Sequence, residues 1–190
     1  MTSPLLQLAL AYFAIGFNPF PLPLGSKVPI IKWKRLQTER ATPWELAEWF
    51  DHRPVNIGLM TGRVSGGAVA FDCDEPSLAR RIFGDLAELA THTYVSRTAR
   101  GHHVIFRVVG GTVKTTTYRG RGVPLDVKAE GGYVVAPTSL HPDGVRYELL
   151  SHDPKPAAIA RSEFDALILR LLSKQPALPG LGLEPERVKE

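Results

Sequence analysis

The segment Gly67-Ala68-Val69-Ala70-Phe71-Asp72-Cys73-Asp74 reads as an apolar strand that ends in two carboxylates. Alternation along a strand places Asp72 and Asp74 on one face and turns Cys73 to the other, with Val69 and Phe71. Two carboxylates on one face repel unless a cation lies between them, and oxygen-only donors favour Mg²⁺ or Mn²⁺. The plain alternative is a pair of solvated acids at a strand end, leading into a helix that starts at Pro76–Ser77. A third acid, Asp126, has a similar apolar setting in Val123-Pro124-Leu125-Asp126-Val127 and favours the metal reading.

Around this strand the chain reads as a mixture of helices and strands. A first helix is expected over about residues 4–15, stopped by Gly16, followed by a proline-punctuated extended stretch from Asn18 to Leu24. Thr42-Pro43-Trp44-Glu45 combines a Thr N-cap, Pro at the first helical position and a Glu placed for a capping box, so a second helix runs to about Phe50. Strands are expected at 56–61 and 67–72, split by a Gly/Ser turn at 62–66, and a third helix from Ser77 to about Ala90. Further strands are expected near 93–96, 103–109, 123–127, 133–136 and 146–150. Ser162 can cap a last helix to about Leu172, in which Phe164, Leu167, Ile168, Leu171 and Leu172 follow helical spacing. No internal repeat is visible. The strands are too irregularly spaced for alternating βαβ units, which gives an α+β domain with a mixed or antiparallel sheet and flanking helices.

Composition narrows the class. A chain of 190 residues with 44% hydrophobic and 22% charged residues is long enough and apolar enough to bury a core, which excludes a wholly disordered chain. Its single cysteine, Cys73, excludes an internal disulfide and a Cys-rich zinc module. The apolar run Leu5–Ile15, interrupted by Gln7, is shorter than the roughly 20 residues a membrane span needs. No basic residue precedes it and no small-residue cleavage site follows, so the expected location is cytoplasmic, without membrane contact. The net charge of +4 is mild, but it is unevenly spread. From Leu89 to Leu125 there is no Asp or Glu, while Arg97, Arg100, Arg107, Lys114, Arg119 and Arg121 all fall there. Solvated loops are the plain reading; a phosphate-binding surface is the sharper one, since Asp72, Asp74 and Asp126 bracket the segment.

The histidines divide by position. His102 and His103 are adjacent in a strand and face opposite ways, and periodicity does not say which faces a cleft. His141-Pro142-Asp143-Gly144 reads as a type I turn, with His141 structural or at a rim. His52, His92 and His152 read as surface or loop residues. Zinc is not expected, because neither a Cys partner nor a well-spaced second His accompanies these positions.

Five blocks, in order, resemble a known family: Gly25-Ser26-Lys27-Val28-Pro29 with Trp33; Asn56-Ile57-Gly58 with Thr61-Gly62; Phe71-Asp72-Cys73-Asp74; Thr98 with Gly101-His102-His103-Val104-Ile105-Phe106; and Leu125-Asp126-Val127-Lys128 with Gly131-Gly132-Tyr133-Val134-Val135-Ala136-Pro137-Thr138-Ser139-Leu140-His141. They look like the bifunctional DNA primase/polymerase (prim-pol) domain of the archaeo-eukaryotic primase superfamily, common on plasmids, phages and mobile elements. The resemblance implies a catalytic core with an RRM-like half and an N-terminal α/β half over residues 1–173. Residues 174–190 would be a Pro/Gly-rich tail or linker leading to a helicase domain in a longer protein. It implies metal binding by Asp72, Asp74 and Asp126, as a two-ion Mg²⁺ or Mn²⁺ site, and phosphate contact by His103. Lys128, Arg97, Arg100, Gly101 and Ser139 would complete the nucleotide site, with Gly131 and Gly132 letting backbone approach the nucleotide. Lys128 stands where the family often has arginine, Ala129-Glu130 where it has Gly-Asp, and Thr138 where it often has a second proline; no zinc-binding insertion is present.

The implied chemistry is attack of a primer 3′-hydroxyl on the α-phosphate of a dNTP or NTP, directed by a single-stranded DNA template. Lys27, Lys32, Lys34 and Arg35 around Trp33 would hold that template by charge and stacking. A two-metal nuclease using the same acids, and a non-catalytic DNA-binding initiation module, are the alternatives.

Overall fold

Strand β3 (Ala68–Cys73) is buried on both faces, and its alternation divides the molecule into two cores. Val69, Phe71 and Cys73 enter one core, where helices α3 (Pro76–Phe83) and α5 (Arg161–Leu172) supply Leu78, Ile82, Phe164 and Leu167. Ala68 and Ala70 enter the other, with α1 (Pro4–Ala14), α2 (Pro43–Phe50) and the strands β1 (Asn18–Pro23) and β2 (Val55–Met60). The computed structural model describes residues 2–119 and 124–172. Arg121, the first residue of the strand expected at 123–127, and the segment 174–190 lie outside the described residues.

The remaining strands are β4 (Tyr94–Arg97), β5 (His102–Val109), β6 (Thr116–Tyr118), β7 (Leu125–Lys128), β8 (Tyr133–Val135), β9 (Glu148–Leu149) and β10 (Ala158–Ala160). A seven-stranded sheet runs β6-β7-β3-β5-β4-β9, with β10 pairing β5 in parallel; its other pairs are antiparallel. A three-stranded antiparallel sheet, β1-β2-β8, belongs to the other core. The architecture is α+β with a mixed sheet, as the irregular strand spacing predicts.

The two strands split by the Gly/Ser turn belong to different sheets. The turn carries the chain across through a short 3₁₀ segment, Arg63–Ser65, with Gly62 and Gly66 both at positive φ. The proline-punctuated stretch is an edge strand, and the reason is geometric. Successive N–H groups point to opposite edges, so Pro19, Pro21 and Pro23 forgo only those on the unpaired side.

Three expectations need correction. The helix expected over 77–90 breaks at Gly84, whose φ of 83° ends α3, and a short helix α4 (Leu86–Leu89) restarts with Asp85 as N-cap. Strands β6 and β10 escape periodicity because they are three residues long and mostly exposed. Helix α5 starts before Ser162, and Glu163 reaches back to accept the Ala160 N–H. The capping box of α2 forms as read from Thr42 and Glu45. Among the described residues no helix is long and apolar enough to cross a membrane.

Arg107 joins the two halves. Its guanidinium donates to the carbonyls of Ser65, Gly66 and Ile15 at 2.7, 3.1 and 2.5 Å and lies over the Phe17 ring. It is therefore a structural fastener and not part of a phosphate surface. Thr138 has φ of 70°, and its N–H donates to the Tyr147 carbonyl. A proline, locked near −65° and lacking the N–H, cannot occupy this backbone, which explains the departure from the family pattern.

Arg107→Ala should lose about 2 to 4 kcal/mol of unfolding free energy in chemical denaturation, since it strands three carbonyls. Thr138→Pro should destabilise by about 3 kcal/mol or more, measured the same way. A Thr138→Pro variant as stable as the wild type would contradict the left-handed backbone at this position.

Candidate active site

The register of the large sheet brings the sequence-distant site residues together. Asp72 on β3 pairs opposite Asp126 on β7 and opposite His103 on β5, while Thr117 on β6 pairs opposite Asp126. Residues directly opposite in an antiparallel pair share a face, so one row crosses the sheet: Thr117, Asp126, Asp72, His103. This also answers which histidine faces the cleft: it is His103, because His102 pairs with Cys73 on the opposite face. Asp74 lies just past the end of β3.

Three members of the row, Asp126, Asp72 and His103, line a pocket of about 440 Å³, and Thr117 stands behind Asp126 outside the lining. Asp72, Asp74, Asp126, His103, Lys27 and Lys128 line it, with Thr115, Gly131, Gly132, the β8 residues Tyr133, Val134 and Val135, and Tyr147 as the surrounding wall. The pocket thus sits where the smaller sheet meets the end of β3.

Each acid of the row is already engaged. Lys128 Nζ donates to Asp126 Oδ2 at 2.8 Å, and the Thr117 hydroxyl donates to Asp126 Oδ1 at 2.6 Å. His103 Nε2 lies 3.3 Å from Asp72 Oδ1. Burial pushes the Asp72 carboxyl up, but His103, Lys128 and Lys27 together outweigh it and hold the group below the ordinary Asp value. Asp126 follows the same pattern: burial raises it, the bonds from Lys128 and Thr117 lower it, and the net direction is down despite the nearby Asp72. Both groups therefore favour the charged form, which is the form that binds cations. Among the described residues no three His, Cys, Asp or Glu side chains converge on a point that could hold a metal ion. The donor set itself, three carboxylates on one pocket, matches what a hard divalent cation takes. An incoming cation would compete with Lys128 for Asp126.

Other expected site residues lie elsewhere. Arg97 pairs with Glu148 at 3.4 Å and Arg100 with Asp143 at 3.8 Å, so the acid-free segment meets acids in space. Neither arginine lines the pocket. Ser139 is buried, its hydroxyl accepting the Ile57 N–H. Gly101 packs against the β3 terminus: a Cβ there would meet the Cys73 carbonyl oxygen at 1.9 Å. Gly132 does line the pocket, but what demands a glycine is the closeness of the Thr115 and Thr61 hydroxyls, 2.8 and 3.0 Å from a Cβ. Lys27 reaches the pocket, whereas Lys32 and Lys34 are exposed beyond it. Trp33 is not a free stacking surface; its ring stacks on Phe20 and meets Tyr133 edge-on. Arg35 is bound to Glu45 and lies near Glu39.

Two residues of the site, Tyr147 and Thr117, are not marked by the sequence. Tyr147 is 3% exposed; its ring stacks on His103 and lies tilted by 50° to His141, with centroids 5.9 Å from each. Burial, reinforced by Asp72, Asp74 and Asp143, drives its phenol pKa up, so it stays protonated. His141 is buried, and its Nδ1 accepts the Asp143 N–H while its carbonyl accepts the Gly144 N–H, closing the expected turn. Burial, then Lys27, lowers its pKa. No local pattern points to Tyr147, since only the folded sheet carries it to His103.

A family model described as bifunctional DNA primase/polymerase, N-terminal, matches residues 9–162. A comparison with curated proteins gives no match. The matched span contains the whole carboxylate–histidine row and both sheets that enclose it, and the chain belongs to the bifunctional DNA primase/polymerase N-terminal domain family.

Proposed function

We propose that the pocket performs divalent-metal-dependent nucleotidyl transfer on single-stranded DNA, as a primase and polymerase. The observation that carries this reading is the cross-sheet row: Asp126, Asp72 and His103 on adjacent strands, with Lys27 and Lys128 in the same pocket. The family membership supports primase/polymerase chemistry in general.

In the reaction a primer 3′-hydroxyl oxygen forms a bond to the α-phosphorus of a nucleoside triphosphate. The hydroxyl O–H bond breaks, its proton passing to solvent water, while the bond from that phosphorus to the bridging oxygen breaks and pyrophosphate leaves with the electron pair. Asp72, Asp74 and Asp126 would hold Mg²⁺ or Mn²⁺, which when bound favours the alkoxide form of the attacking hydroxyl and offsets charge on the leaving oxygen. This chain's own groups do the rest. Lys27 and Lys128 present cations to the triphosphate, and Lys128 is released for that work when Asp126 takes another partner. His103, held between Asp72 and the Tyr147 ring, offers a positioned nitrogen to a phosphate oxygen. The β8 wall of Tyr133, Val134 and Val135 supplies apolar surface for the sugar or base. Arg97, Arg100, Gly101 and Ser139 do not line this pocket and are assigned no step in it.

With template, primer, dNTPs and Mn²⁺, the protein should extend the primer. Asp72→Asn should reduce the rate by roughly 1,000-fold, which corresponds to about 4 kcal/mol of lost transition-state stabilisation. Equal activity in that variant would sink the assignment of the site. Degradation of the DNA without added nucleotide would favour a nuclease instead.

A further inference from the structure

Residues 24–32, between β1 and the 3₁₀ turn at Trp33–Gln37, form an irregular loop at the rim of the pocket. Its base is fixed: the Tyr133 hydroxyl donates to the Lys27 carbonyl at 2.8 Å, and Asn56 Nδ2 donates to the Ser26 carbonyl at 3.2 Å. Its outer side chains are uncovered. Leu24 is 52%, Val28 69% and Ile30 76% exposed. Eight large apolar residues are exposed in this way among the described residues, and three of them fall in this one loop. Scattered exposed apolar residues need no explanation, but a group beside a catalytic pocket marks a contact surface.

The charge around the loop identifies the partner. The chain has no Asp or Glu before Glu39, so Lys27, Lys32 and Lys34 stand in a stretch without acids of its own. Of the acids that follow in sequence, Glu39 and Glu45 pair with Arg35, while Lys27 faces the pocket carboxylates. Apolar tips flanked by lysines match a chain of phosphates carrying unstacked bases. A duplex keeps its base faces inside the stack and offers nothing to Val28 and Ile30; a single strand offers both components. Trp33, committed to Phe20 and Tyr133, cannot serve as the stacking platform.

We propose that loop 24–32 seats the unpaired template strand, with bases against Val28 and Ile30 and phosphates on Lys32 and Lys34. Lys27 continues the cationic path from the loop into the pocket. The inference rests on the nucleotidyl-transfer reading only in calling the strand a template; the binding itself requires neither metal nor nucleotide.

The test is fluorescence anisotropy of the full chain with a labelled oligothymidylate in EDTA, over a series of salt concentrations. Val28→Ser/Ile30→Ser should weaken binding about tenfold at every salt concentration, with an unchanged salt slope, because apolar contacts release no counterions. Lys32→Gln/Lys34→Gln should instead reduce the slope by about 1.4, at roughly 0.7 for each single-strand phosphate that is no longer neutralised. Both pairs are exposed, so circular dichroism and melting should match the wild type. Unchanged oligothymidylate binding by Val28→Ser/Ile30→Ser would overturn the proposal. So would an equal loss on a duplex, or a loss confined to binding of anionic phospholipid vesicles. Strand binding that behaves as expected while primer extension is absent would leave the loop assignment standing and remove the catalytic one. Extension with loop variants that bind as wild type would do the reverse.

Discussion

The structure depends on one strand that has no solvent face. β3 must satisfy a helical core through Val69, Phe71 and Cys73 and an N-terminal core through Ala68 and Ala70. A slip of one residue in its register would exchange the two sets, placing Phe71 against a surface that accepts only alanine. The same alternation that fixes Ala70 inside carries Asp72 to the next position on that face, where the covering sheet ends and the pocket opens. The position of the first carboxylate is therefore set by packing, and those of Asp126 and His103 follow from the register of β7 and β5 against β3.

The electrostatics of the pocket follow from this forced proximity. Two carboxylates directly opposite each other on neighbouring strands would repel, and each has its own compensating partner: His103 beside Asp72, Lys128 on Asp126. Thr117 holds the second oxygen of Asp126. The pocket is thus an array of anions and cations whose partners could exchange if charged ligands entered it. Tyr147 stiffens the histidine side by stacking on it from the turn that His141 closes.

What sequence reveals here is mostly what period two can reveal. The β3 pattern separates Asp72 from Cys73 without further information, and the apolar flanks of Asp126 mark it as the same kind of position. The α2 start is legible because its capping groups lie three residues apart. Pairing across sheets is not legible in this way. Nothing local to Arg97 or Arg100 announces Glu148 or Asp143, and so a stretch without acids reads as more cationic than it is in space. Arg107 is hidden for a related reason, since three backbone carbonyls from two distant segments meet its guanidinium. Short exposed strands such as β6 carry no periodic signal, and Thr117 is hidden with it. The loop at 24–32 is visible as charge, but which of its aromatic and apolar groups are covered depends on the packing of Phe20 and Tyr133.

On the proposed function, this pocket binds a nucleoside triphosphate together with a divalent cation. Isothermal titration calorimetry of a non-hydrolysable dNTP, with Mn²⁺ and then with EDTA, tests it without requiring turnover. Binding should be at least about tenfold tighter with Mn²⁺, a coupling of about 1.4 kcal/mol or more between the two ligands. Equal affinity in EDTA, or no nucleotide binding in either condition, would contradict it.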